Sequence, residues 1–109
     1  MFKGMGDLFG QVQKMQLEMK RIQDELEKKT VEATVGGGMV RVVATGKQHI
    51  KSIQIDPETL KMNDKQMLED LIASGVNEAI KQSQELAANE MKSLTAGLGP
   101  IGSMLNMGG

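Results

Sequence analysis

The sequence predicts an α+β fold: a long N-terminal helix, a three-stranded antiparallel meander and a long C-terminal helix. Three observations predict it. Apolar residues follow a heptad spacing up to Leu26, alternation interrupted by glycines fills the middle, and an i, i+3, i+4 pattern returns after Asp64.

The heptad is formed by Met5, Leu8, Val12, Met15, Met19, Ile22 and Leu26, in steps of three and four. Nearly every residue between them is Gln, Lys, Glu or Arg, so a helix is expected from about Asp7 to Lys28, with Asp7 as its N-cap. A seam of about three heptads suits contact with one other helix, whether from the same chain or another.

Thr30 to Val35 alternates, with Val31, Ala33 and Val35 on one side, as a half-buried strand does. Gly36-Gly37-Gly38 permits the positive φ angles of a tight reversal, and Met39 to Thr45 resumes β character. Gly46-Lys47-Gln48 turns the chain into a third strand, Ile50 to Ile55, which Asp56-Pro57 ends because proline supplies no ladder donor. Asp64 is placed to cap a second long helix carrying Met67, Leu68, Leu71, Ile72, Val76, Ala79 and Ile80, extended by Leu86, Ala87, Met91 and Leu94. Gly75 marks either a break in that helix or a close approach. Residues 1–96 read as a single domain, and the Gly- and Met-rich segment 97–109 as a flexible tail.

A domain of 109 residues buries only about two-thirds of its unfolded surface. Its aromatic residues are Phe2 and Phe9 alone, so the core is modest and self-association is a natural remedy. The 10 methionines suit irregular gaps and adaptable contacts. Absence of cysteine excludes disulfides, thiolate metal sites and a cysteine nucleophile. No run has the length of a bilayer span and the start lacks a secretory signal, so the expected location is the cytoplasm.

Charge by itself does not point to nucleic acid, because 13 basic residues face 14 acidic ones. Residues 1–56 hold nine basic and seven acidic side chains, and 57–109 hold four and seven. No enzyme constellation emerges. His49 has no second His or Cys for a metal shell, the serines lack a nucleophile elbow, and Glu69-Asp70 reads as helix surface. Gly36-Gly37-Gly38 joins two strands instead of opening a helix, and Gly4-Met5-Gly6 follows no strand, so neither is a nucleotide loop. Neither a cofactor, a metal nor a small-molecule substrate is therefore expected.

Lys14, Arg21 and Lys28 recur every seven residues beside the seam, with Lys20 and Lys29 next to them. Such a stripe could track phosphates. An ordinary solvated face accounts for it too, since Glu18 with Arg21 and Glu25 with Lys28 or Lys29 have the spacing of helical ion pairs.

The order of elements, together with Gly36-Gly37-Gly38-Met39-Val40, Ile53-Gln54-Ile55-Asp56-Pro57, Met67-Leu68-Glu69-Asp70-Leu71-Ile72 and Asn77-Glu78-Ala79, resembles the YbaB/EbfC nucleoid-associated family from Phe2 to about Leu94. The resemblance implies a tweezers-like homodimer whose body holds the sheets and whose arms are the first helix and the C-terminal part of the last. It also implies double-stranded DNA as partner, a place at the nucleoid within the cytoplasm, and roles in chromosome organisation and gene regulation. These words encode fold more than contacts, so the DNA-binding residues expected are the basic ones on the implied arms: Lys14, Lys20, Arg21, Lys81 and Lys92. An arm would form where the first-helix seam packs on Ile80, Leu86, Ala87 and Met91. The competing reading is a helical adaptor or scaffold that binds another protein through its Met-rich surfaces, without DNA.

Overall fold

Alternation in the middle of the chain builds the sheet. The computed structural model describes residues 2–96, and the expected tail lies outside them. Strands β1 (Thr30–Val35), β2 (Val40–Thr45) and β3 (Ile50–Ile55) pair antiparallel in the order β1-β2-β3. The register sets Val35 opposite Val40, Ala33 opposite Val42, and Val42 opposite Ile53. The glycines between β1 and β2 take φ angles of 64°, 65° and 103°, which only glycine adopts without strain. An irregularity between Val43 and Ala44 leaves Lys51 without a partner in the register, as an inserted bulge residue is.

Before the sheet runs α1 (Phe2–Lys28), and after it come α2 (Pro57–Lys61) and α3 (Lys65–Ala96). α2 was not expected. Asp56 caps it by accepting the Glu58 N–H at 3.1 Å, with Pro57 in the first turn where a missing N–H costs nothing. Asp64 caps α3 as expected, accepting the Met67 N–H at 3.0 Å. Asp7, in contrast, is no cap, because α1 already begins at Phe2 and continues through Gly4 and Gly6. Each interior glycine costs only about 1 kcal/mol relative to alanine, so two do not stop a helix whose apolar seam starts at Met5.

α3 lies over the face formed by Val31, Ala33, Val35, Val40, Val42 and Ala44, and contributes Ala79, Leu68, Leu71, Ile72 and Val76 to the same core. It is unbroken at Gly75. A Cβ there would stand 2.8 Å from Val42 Cγ2, so this glycine marks a close approach of helix to sheet. α3 covers β1 and β2 and reaches β3 only marginally. Ile53, across from buried Val42, is accordingly 42% exposed.

The heptad of α1 is used only at its C-terminal end. Ile22 and Leu26 are buried, whereas Leu8 is 62% and Val12 47% exposed, so the seam as a whole does not pack on α3 as expected. The reason is reach: α1 meets α3 only near the body, and its first half projects beyond. Dimensions of 74 × 25 × 16 Å and a radius of gyration of 20.2 Å express this projection, against about 13 Å for a compact 100-residue domain.

Candidate nucleic-acid interface

A projecting helix displays its cations by spacing alone. Lys14 and Arg21 are two turns apart and share a side of α1, about 10 Å along its axis, while Lys20 is turned away from them. All three are exposed. Arg21 is compensated: it donates from Nη2 to Glu18 Oε2 at 2.8 Å and from Nη1 to Glu25 Oε1 at 2.7 Å. The Glu18 hydrogen bond above all, then the charges of Glu18 and Glu25, hold its pKa above the ordinary arginine value. For Arg21 the solvated-face reading is therefore the one realised. Lys14 and Lys20 make no ion pair among the described residues.

Lys29 departs from the local pairing expected with Glu25. Its Nζ bonds Glu90 of α3, and that hydrogen bond is the first cause raising the lysine's pKa. The pair ties the root of α1 to α3. Lys28 pairs with neither glutamate among the described residues. On α3, Lys81 and Lys92 are exposed and three turns apart, hence on one side of the helix. Of the expected contact residues, Lys14 and Arg21 thus form one row on α1 and Lys81 and Lys92 another on α3, with Lys20 outside both.

The turn between β2 and β3 is fastened to both helices. Gly46 N–H donates to the carbonyls of Leu26 at 2.8 Å and Lys29 at 3.1 Å. Fully buried Ser83 of α3 accepts the Gln48 N–H at 2.9 Å and donates to the Thr45 carbonyl at 2.6 Å. Gln48 is held at φ 63°, which non-glycine residues adopt rarely. A Cβ on Gly46 would stand 2.8 Å from the Leu26 carbonyl oxygen, so the turn meets α1 at closest packing.

Other chemistry finds little support among the described residues. They hold no group of three or more His, Cys, Asp and Glu side chains able to bind a metal, and no helix is long and apolar enough to cross a membrane. An open hollow at the start of α3 is lined by Asp64, Gln66, Met67, Asp70, Leu71 and Ser74, with no histidine or lysine in that lining beside its carboxylates and hydroxyl.

A model of the YbaB/EbfC DNA-binding family matches residues 1–98. Among curated relatives, a nucleoid-associated protein of Ruminiclostridium cellulolyticum is 50% identical over 92% of this chain and 87% of its own. One of Acetivibrio thermocellus is 49% identical over 92% of each chain, and one of Desulforamulus reducens is 53% identical over 86% of this chain and 90% of its own. Of solved structures, an uncharacterized protein from Helicobacter pylori superposes with a TM-score of 0.71 at 25% identity, over 80% of this chain and 91% of that one.

Proposed function

The chain belongs to the YbaB/EbfC DNA-binding family, and from that membership we propose that it is a nucleoid-associated protein that binds duplex DNA as a homodimer, chiefly through phosphate contacts. The family is one of DNA-binding proteins and not of enzymes. The observation that carries the reading is the extent of the match, which takes in both long helices and the sheet between them. Its place is at the nucleoid, where it organises the chromosome and affects transcription.

Exposed apolar surface supports the dimer. Among the described residues the buried apolar ones are Ile22, Leu26, Ala33, Val40, Val42, Ala44 and Ala79, mostly small. Leu8, Val12, Met15 and Ile53 meanwhile face solvent in a single chain, as side chains meant for a partner do. A two-fold contact would let folding and association share one core. Lys14, Lys20, Arg21, Lys81 and Lys92 are the arm residues assigned to phosphate in this reading, with Arg21 contributing least because Glu18 and Glu25 already neutralise it. Sequence readout is expected to be slight, since the described residues offer no helix-turn-helix and no exposed aromatic row.

Charge reversal tests this. Lys14, Lys20 and Arg21 changed together to Glu should weaken binding to unrelated duplexes and flatten its salt dependence, whereas Lys61→Glu with Lys65→Glu should do much less. Equal losses per reversed charge from both sets would refute the arm assignment, since long-range repulsion depends on the charge added and not on the arm. Light scattering at micromolar concentration should give a dimer, and a folded monomer of about 12 kDa would refute that part.

A further inference from the structure

We infer that the β2–β3 turn and the bulge after it, carrying Lys47, His49 and Lys51, form a further phosphate-contacting site at the root of the arm. The inference rests on the duplex-DNA reading and deepens it.

The distribution of charge by element is the first argument. α1 holds five basic and five acidic side chains, and α3 holds three basic and five acidic. Helices neutral or negative overall are poor at collecting a polyanion by themselves. From Ala33 to Ile55, in contrast, there is no acidic residue, while Arg41, Lys47 and Lys51 are basic. Arg41 is engaged by Glu32 at 3.3 Å on the open face of the sheet. That leaves Lys47 and Lys51 as the cations of this acid-free segment that make no ion pair among the described residues.

Placement is the second. Lys47, Gln48, His49 and Lys51 are all exposed, in a row of donors interrupted only by Ile50. The Gly46 N–H reaches the carbonyls of Leu26 and Lys29, which bracket Lys28 in sequence, so the turn joins the end of α1 at that unpaired lysine. The turn therefore lies at the C-terminal end of the helix that carries Lys14 and Lys20.

Rigidity is the third. Ser83 and the Leu26 and Lys29 carbonyls fix the turn from two helices, so the backbone that carries these side chains is in place before binding and need not be ordered on contact. The bulge at Lys51 turns that residue out of the regular ladder, a device that re-aims side chains at sheet margins.

The test is a titration of the full chain with random-sequence duplex DNA over a salt series, comparing wild type, Lys47→Gln with Lys51→Gln, and Lys61→Gln with Lys65→Gln. Each phosphate contact contributes about 0.9 to the slope of log K against log salt. Loss of one contact per lysine in at least one protomer should reduce the slope by about 1.8, or about 60-fold in affinity between 1 M and 0.1 M salt. The Lys61/Lys65 control, with the same charge change away from the turn, should keep the wild-type slope. Unchanged circular dichroism melts confirm that these exposed substitutions leave the fold intact. Binding by wild type with an unaltered slope in the turn variant overturns the inference alone, as does an equal fall in the control. Failure of wild type to bind duplex DNA overturns the duplex-DNA reading and the inference with it.

Discussion

Replacing Ser83 by alanine should loosen the β2–β3 turn at a cost that the geometry fixes in advance. The hydroxyl is fully buried, accepts the Gln48 N–H at 2.9 Å and donates to the Thr45 carbonyl at 2.6 Å. Both partners keep a weaker alternative, because the Gln48 N–H also points to the Thr45 oxygen at 3.1 Å. Neither is therefore wholly orphaned, and each lost bond is worth about 1 kcal/mol instead of the full desolvation penalty. The sum, about 2 kcal/mol, corresponds to a fall in melting temperature of about 10 °C for a domain of this size. Thermal melts of wild type and Ser83→Ala at one protein concentration measure it, concentration being held because association adds to apparent stability. Amide exchange at Gln48 should accelerate more than exchange in the middle of β2. A loss below about 0.5 kcal/mol, within the range of an ordinary surface change, would refute the claim that Ser83 fastens the turn.

Gly75→Ala should destabilise despite better helix propensity, because a gain of about 1 kcal/mol is outweighed by overpacking of about 1–3 kcal/mol against Val42. The sign should reverse in a Val42→Ala background, where the obstructing Cγ2 is gone, and urea melts of the four proteins in the cycle check this. Ile22→Ala should cost about 2–4 kcal/mol from a buried site, read from urea melts at one protein concentration. Deleting residues 97–109 should preserve the melting transition, since every fully buried apolar residue described falls between Ile22 and Ala79.

The sheet was legible almost residue by residue, because a strand with one face on a core must alternate and the glycines and Asp56-Pro57 bound each run. Asp64 was legible as a cap for the same local reason. α2 was missed because Asp56-Pro57 reads as the end of a strand, although the same pair is an N-cap followed by a proline at the first helical position. The heptad of α1 established a helix but not which part of its seam is covered, since that depends on where α1 and α3 separate. Compensation of Arg21 by Glu18 and Glu25 follows from helical spacing, whereas the Lys29–Glu90 pair joins residues 61 apart and has no local signature. The acid-free stretch from Ala33 to Ile55 is visible in the sequence, but a count over residues 1–56 averages it with the acidic end of α1. Only the fold, by joining the β2–β3 turn to that helix end, gives the stretch a place.

Binding of the unmodified protein to random duplex DNA across a salt series, read by gel shift or fluorescence anisotropy, tests the central claim most directly. A dimer neutralising about four to six phosphates should give a slope of log K against log salt of roughly -4 to -5, with little dependence on sequence. No measurable binding even at about 50 mM salt, where the phosphate contribution is strong, would contradict the account and favour an adaptor that meets another protein through the exposed seam of α1.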